Sequence, residues 1–89
     1  MATGLVKQKI EAGAVIVDVR TPEEFRDRAY PGALNIPVSS LVARMAEIPK
    51  DKPVIVYCAS GARSASAART LRQAGYRDVL NAGGLDDIL

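Results

Sequence analysis

The feature that most limits the fold of this chain is a pair of short, uninterrupted apolar runs. Ala14–Val17 reads AVIV and Val54–Tyr57 reads VIVY, and both are rich in β-branched residues. Neither run alternates between apolar and polar residues, as a strand with one face in water would. Continuously apolar strands are typical of parallel sheets that are covered on both faces. The two runs therefore predict strands of a parallel sheet.

Helical patterns and short connections separate the candidate strands. Leu34–Ile36 is a further strand candidate, and Asp78–Asn81 is a weaker one. Strands that alternate with helices across short loops indicate an α/β fold. We expect a small open parallel sheet of about four or five strands with helices on both faces. The 89 residues are too few for two domains, so residues 1–89 are predicted to form a single domain.

Local signals also place the helices. Thr21 is predicted to cap a short helix, with Pro22 at its first position and Glu24 as the capping-box acid. A longer helix is predicted from about Arg63 to Ala74. The inner face of this helix is predicted to consist of Ala65, Ala68 and Leu71. Another helix is predicted to begin at a cap formed by Ser39 or Ser40. Its predicted inner face consists of Leu41, Val42, Met45 and Ile48.

Cys58 is the only cysteine of the chain, and it directly follows the second apolar run. Ligands of open parallel sheets bind beyond the carboxyl ends of the strands, which is where Cys58 is predicted to lie. The small residues Ala59–Ala62 can form a loop whose N–H groups point at an anion near the start of a helix. Such a loop lowers the pKa of a thiol. Arg63 adds a charged donor array for an oxyanion, and Ser60 and Ser64 add hydroxyls.

Simpler interpretations compete with this one. A cysteine at the end of an apolar strand can be just a small buried hydrophobe. Ser60 and Ser64 can be helix N-caps, and Arg63 can be a solvated surface residue. A cation in the first turn of a helix is unfavourable unless an anion lies near it, however, so the combination of Cys58 and Arg63 favours a nucleophile with an anionic substrate.

Composition excludes several classes of protein. The net charge is +2 without a block of like charges, so nucleic acid is not an expected partner. One cysteine and no histidine exclude an internal disulfide and a Cys/His zinc site, and neither a metal nor a cofactor is expected. Lys7 and Lys9 interrupt any signal-peptide pattern, and no run reaches membrane-spanning length. We expect a monomer without membrane partners in the cytoplasm, or in the periplasm if an export signal was removed.

Four segments form a pattern in their order and spacing. They are VIVDVRTPEEF (15–25), YPGALNIP (30–37), VIVYCASGARS (54–64) and GYRDVLNAGGLDDI (75–88). This pattern resembles the rhodanese family of sulfurtransferases, and most of all its small single-domain members of the bacterial phage-shock type. The resemblance implies a thiosulfate sulfurtransferase that works through a Cys58 persulfide. Thiosulfate or another sulfane-sulfur donor would supply the sulfur, and cyanide or a thiol, possibly one on a protein, would accept it.

The resemblance also implies roles for the residues around Cys58. Backbone N–H groups of the loop would hold the persulfide, and Arg63 would hold the sulfonate group of the donor. Asp18 is expected to accept hydrogen bonds from loop amides, and Arg20 to pair with Glu24 as structural support. An unsatisfied Asp18 charge would oppose formation of a thiolate. The residues predicted to bind substrate are Ala59, Ser60, Gly61, Ala62, Arg63 and Ser64.

The chain departs from the family pattern at three places. Ala59 stands where many active members have an arginine, so we expect more reliance on Arg63 and modest turnover with thiosulfate. Ala29 and Tyr30 occupy the region where a histidine often lies, which excludes acid or base catalysis by histidine. Ile88 stands where the family usually has a tryptophan.

Two other functions are compatible with parts of the sequence. A cysteine-dependent phosphatase or arsenate reductase also holds an oxyanion in a loop between a strand and a helix. Protein tyrosine phosphatases and their rhodanese-like relatives place one more residue between cysteine and arginine than the four found here, and the shorter loop favours sulfur over a phosphoryl group. A non-catalytic rhodanese-like interaction module usually lacks the cysteine, so Cys58 argues against this alternative.

Overall fold

A computed structural model describes residues 3–89 of the chain. Met1 and Ala2, with which the predicted 1–89 domain begins, lie outside the described residues. The helices and strands are α1 (Gly4–Glu11), β1 (Val15–Asp18), α2 (Pro22–Asp27), β2 (Leu34–Asn35), α3 (Leu41–Arg44), β3 (Val54–Cys58), α4 (Ala62–Gln73), β4 (Val79–Gly84) and α5 (Leu85–Ile88). Short 3-10 turns at Val38–Ser40 and Met45–Glu47 flank α3.

Within residues 3–89, four strands form one sheet in the order β2-β1-β3-β4, and all neighbouring strands are parallel. The two continuous apolar runs are the central pair, with Val15 opposite Val54 and Asp18 opposite Tyr57. The predicted parallel α/β sheet is confirmed. β4 extends further than the predicted Asp78–Asn81 and ends opposite Cys58, with Gly84 as its partner after an irregularity in the pairing.

β3 explains why the runs do not alternate, because its five residues are all buried. Val54, Val56 and Cys58 belong to one apolar layer, and Ile55 and Tyr57 belong to the other. The first layer includes residues of α3 and α4, and the second includes residues of α1 and α5. Helices therefore cover both faces of the sheet, as expected.

The helix that follows β3 begins at Ala62 and ends at Gln73, close to the predicted bounds, but it is rotated relative to the prediction. Its buried residues are Ser64, Ala67, Ala68 and Leu71. Ala65, predicted to face inward, is exposed. The N-cap is Gly61 without a side-chain hydrogen bond, so neither Ser60 nor Ser64 caps this helix.

Two further predictions about helices have different outcomes. The capping box of α2 is confirmed, because Thr21 Oγ accepts the N–H of Glu24 and Glu24 Oε1 accepts the N–H of Thr21. The helix around Leu41 is only four residues long and starts without a side-chain cap from Ser39 or Ser40. Val42, predicted on its inner face, has 76% of its surface exposed.

Candidate active site

Cys58 ends the central strand, and the chain then turns sharply into α4. Gly61 makes this turn with a φ of +100°, a left-handed conformation that disfavours residues with a Cβ. A Cβ on Gly61 would contact Gly83, which itself has a φ of +90°. The loop and the end of β4 thus pack backbone against backbone. Cys58 is buried at the floor of this loop, while Ala59, Ser60 and Ala62 are exposed at its rim.

Two backbone N–H donors and one hydroxyl group surround the sulfur of Cys58. The N–H of Gly61 lies 2.9 Å from Sγ, the N–H of Ser64 lies 3.4 Å away, and Ser64 Oγ lies 3.3 Å away. Burial alone raises the pKa of the Cys58 thiol, but the Ser64 hydroxyl and the amides of Ser64, Gly61 and Ser60 outweigh it and lower this pKa to about 7. The thiol is therefore more acidic than that of a free cysteine, and thiolate is accessible at neutral pH.

Ser64 is fixed by a residue that sequence reasoning missed. Ser64 Oγ lies 2.6 Å from Asn81 Oδ1 on β4, and Asn81 also binds the backbone of Gly61 and Gly83. The only signal in the sequence was the polar Asn81 between the apolar start of β4 and the pair Gly83-Gly84. That stretch of sequence does not predict the contact between Asn81 and a serine seventeen residues earlier in the chain.

Arg63 lies beside the loop, and its guanidinium is held by Glu24 of α2. Nη1 donates to Oε1 over 2.8 Å and Nη2 donates to Oε2 over 3.1 Å. The hydrogen bonds from Arg63, together with those from Thr21, lower the pKa of Glu24 to about 2. The expected pairing of Arg20 with Glu24 is wrong. Glu24 instead positions Arg63 through two of its guanidinium donors.

Arg20 pairs with Asp18, on the other side of the sheet from Cys58. Asp18 is fully buried and accepts the backbone N–H of Arg20, both ends of the Arg20 guanidinium and the hydroxyl of Tyr57. The expectation that Asp18 accepts a loop amide is thus met by Arg20 N–H. Tyr57 and Cys58 point to opposite faces of the sheet. The negative charge of Asp18 is therefore paired with Arg20 on the face opposite to the thiol. Burial and the hydrogen bond to Asp18 raise the pKa of Tyr57 to about 12, so Tyr57 stays neutral.

Within residues 3–89, no group of three or more His, Cys, Asp or Glu side chains is placed to hold a metal ion. In the same part of the chain, no helix is both long enough and apolar enough to cross a membrane.

The fold and this loop define a known class of protein. The model of the rhodanese-like domain family matches residues 2–89, so the chain belongs to that family. The interpretation of the four sequence segments is confirmed.

The relatives of this chain include proteins that are named sulfurtransferases. The chain is 49% identical over 70 residues to a sulfurtransferase of Allochromatium vinosum, which covers 79% of this chain and 65% of that protein. It is 43% identical over 74 residues to the thiosulfate sulfurtransferase PspE of Escherichia coli, which covers 81% of this chain and 71% of that protein. The chain thus spans about two thirds of the length of these relatives.

Solved structures agree with the family assignment. A rhodanese-related protein from Thermoplasma volcanium has a TM-score of 0.84 and 32% identity, covering 99% of this chain and 87% of that one. An Escherichia coli rhodanese, solved with anions, has a TM-score of 0.79 and 40% identity, covering 84% of this chain and 91% of that one.

Proposed function

We propose that this protein is a sulfurtransferase that carries sulfane sulfur on Cys58. The observation that supports this proposal is the set of donors around Sγ, namely the N–H of Gly61 and the N–H and hydroxyl of Ser64. These donors stabilise a sulfur anion at the end of a buried strand. The names of similar proteins point the same way, since a relative with 49% identity is a sulfurtransferase and another with 43% is a thiosulfate sulfurtransferase.

The reaction has two displacement steps. The Cys58 thiolate attacks the outer sulfur of thiosulfate, the sulfur–sulfur bond of thiosulfate breaks, and sulfite leaves with the electron pair. Cys58 now carries a persulfide. Cyanide or a thiolate then attacks the outer sulfur, the new sulfur–sulfur bond breaks, and Cys58 leaves as a thiolate. Thiocyanate or a persulfide of the acceptor is the product, and no net redox partner is needed.

The loop and Arg63 divide the work of binding in this proposal. Backbone amides of the loop from Ala59 to Ser64 would hold the transferred sulfur, as those of Gly61 and Ser64 now hold Sγ, and Arg63 would bind the sulfonate group of the donor. Glu24 holds two of the Arg63 donors in the structure, so the sulfonate would use the remaining ones or displace Glu24. Ala59 supplies no cation, which is why modest turnover with thiosulfate is part of the proposal.

Mass spectrometry of the intact protein tests this function. After treatment with thiosulfate the protein is expected to gain the mass of one sulfur atom, and cyanide is expected to remove it. Cys58→Ser is expected to gain nothing, while Ser66→Ala, a change on the exposed side of α4, is expected to behave as the wild type. A wild-type protein that never gains sulfur from thiosulfate or from another sulfane donor would rule the function out. Phosphate release from an aryl phosphate would favour the phosphatase instead.

A separate comparison tests the role of Arg63. Arg63→Ala is expected to weaken the use of thiosulfate more than the use of an uncharged sulfane donor, because only thiosulfate presents a sulfonate. Equal losses with both donors would show that Arg63 shapes the loop and does not bind the anion.

A single domain over residues 1–89, a monomeric state and a cytoplasmic or periplasmic location stay predictions. Sedimentation of the purified chain tests the monomeric state.

A further inference from the structure

The amide of Asn81 has one orientation that its surroundings allow. Asn81 Oδ1 accepts the N–H of Gly83 over 2.9 Å, and Nδ2 donates to the carbonyl of Gly61 over 3.2 Å. Exchanging the two atoms would place donor against donor and acceptor against acceptor. Asn81 Oδ1 is therefore an acceptor, and the hydrogen between it and Ser64 Oγ belongs to the serine.

That single hydroxyl hydrogen has four acceptors within reach. Ser64 Oγ lies 2.6 Å from Asn81 Oδ1, 3.3 Å from Cys58 Sγ, 3.2 Å from the carbonyl oxygen of Gly61 and 3.5 Å from that of Gly83. The Gly61 carbonyl already accepts the N–H of Ala65 and Nδ2 of Asn81, so the main competition is between Asn81 Oδ1 and Cys58 Sγ. Ser64 has no exposed surface, so water cannot replace a donor that turns away. With a neutral thiol, the S–H can donate to Ser64 Oγ while the hydroxyl donates to Asn81. With a thiolate, the hydroxyl can stabilise the sulfur only by giving up its bond to Asn81.

We propose that Asn81 is a positioning residue that competes with Cys58 for the hydroxyl hydrogen of Ser64 and so limits how readily this sulfur carries a negative charge. In the proposed sulfur transfer, on which this role rests, the charge alternates. Sγ is negative before attack, uncharged inside the persulfide, and negative again when the acceptor removes the outer sulfur. The Ser64 hydroxyl turns to Sγ in the charged states and back to Asn81 in the persulfide. This rotation involves no proton transfer.

The charged groups around the loop are accounted for by other partners. Arg63 of α4 is held by Glu24 of α2, and Asp87 of α5 accepts the N–H of Gly84 at the end of β4. Asp18 of β1 is paired with Arg20 on the opposite face of the sheet. Apart from Cys58 itself, neither Ser64 nor Asn81 has a hydrogen-bond partner that can carry a charge. A change in the acidity of Cys58 that follows substitution of Asn81 by a neutral residue thus comes from the hydroxyl or from the shape of the loop, and not from a lost charge.

The pH dependence of alkylation by iodoacetamide, measured on the whole chain, tests the competition. Asn81→Leu removes the competing acceptor, so the pKa of Cys58 is expected to fall by about 0.5 to 1 unit, with roughly 2.5- to 5.5-fold faster alkylation near pH 6. Asn81→Asp keeps an acceptor and makes it negative, so the pKa is expected to rise. Ser64→Ala is also expected to raise it, and Asn81→Leu is expected to add no further shift in that background. Ser66→Ala, on the exposed side of the same helix, is expected to leave it unchanged.

The opposite signs distinguish this role from a merely structural one. If Asn81 only holds the loop in shape, both substitutions loosen the loop and both raise the pKa, and that result would overturn the proposal. The same shift from Asn81→Leu with and without Ser64 would also overturn it. Thermal unfolding of each variant confirms that it is folded, and Asn81→Asp supplies a test if Asn81→Leu does not fold. Alkylation needs no sulfur donor, so failure of the proposed sulfur transfer would appear separately in the mass measurement.

Discussion

Gly84 lies directly against the loop that follows Cys58, and replacing it by alanine should disturb that loop. A Cβ on Gly84 would lie 2.3 Å from the carbonyl oxygen of Ala59 and 3.1 Å from its carbonyl carbon. Both are backbone atoms, so no side chain can rotate to make room. The carbonyl would have to retreat by about 1 Å, and the chain leading to Gly61 would move with it.

The structure sets the size of the expected effect. Inserting a methyl group into a tightly packed place costs about 2 kcal/mol, which lowers the melting temperature of a domain this small by roughly 8–16 °C. The N–H of Gly61, now 2.9 Å from Cys58 Sγ, would lose part of its contact with the sulfur. The pKa of Cys58 is therefore expected to rise from about 7 towards its ordinary value.

Thermal unfolding and the pH profile of alkylation, measured on the same samples, check both effects. Gly4→Ala is the matched control, because a Cβ there meets nothing within 4 Å. Gly4→Ala is expected to leave the pKa of Cys58 unchanged and not to lower the melting temperature. A Gly84→Ala protein as stable as the wild type would refute the argument from contact distance. A destabilised protein with an unchanged pKa would refute the coupling between this contact and the thiol.

Three further predictions follow from other contacts. Alkylation of wild-type Cys58 should rise with pH through a midpoint near 7, where hydrogen bonds place its pKa, and a midpoint near the free-thiol value of about 8.5 would contradict this. Because Arg63 holds the pKa of Glu24 at about 2, this pair stabilises the fold above the ordinary pKa of glutamate and is lost as the pH falls towards 2. In Glu24→Gln, the free energy of unfolding in urea should therefore fall less on acidification than in the wild type. The difference should be at most about 1 kcal/mol, because the pair is partly exposed to solvent. An equal fall in both proteins would contradict this prediction. Tyr57→Phe should cost about 1–3 kcal/mol in urea unfolding, because the buried hydroxyl that accepts the Tyr30 N–H is removed, and an unchanged free energy of unfolding would exclude that role.

The sequence was most informative where a strand pattern left no alternative. The continuous runs at β1 and β3 could only be buried on both faces, and this determined the parallel sheet and the position of Cys58 at a carboxyl end. The capping box of α2 was equally visible, since it depends on three neighbouring residues, Thr21, Pro22 and Glu24.

Errors arose where small or polar residues decide the packing. Around α4 the sequence offers alanines at 65, 67 and 68, so hydrophobicity cannot fix the rotation of the helix. The rotation places Ser64 inward, where Asn81 and Cys58 satisfy its hydroxyl, and Ala65 is turned outward. Val42 is exposed because its helix ends after four residues, before a periodic face can form.

Long-range ionic pairs were also beyond the reach of sequence reasoning. Pairing Arg20 with Glu24 assumed helical spacing, but the backbone after β1 directs Arg20 back onto Asp18. Glu24 is then free to meet Arg63, thirty-nine residues later in the chain. The pair joins the first turn of α2 to the first turn of α4, and no local sequence pattern predicts it.

The central position of β3 also affects how long the thiol is protected. β3 is hydrogen-bonded to β1 on one side and to β4 on the other, and all five of its side chains are buried. Amides in such a strand exchange with solvent deuterium mainly when the whole domain unfolds. Cys58 ends this strand, so the backbone that carries its sulfur belongs to the most protected unit of the domain. The arrangement of hydrogen-bonding groups around the thiol is then expected to persist for as long as the sheet is folded.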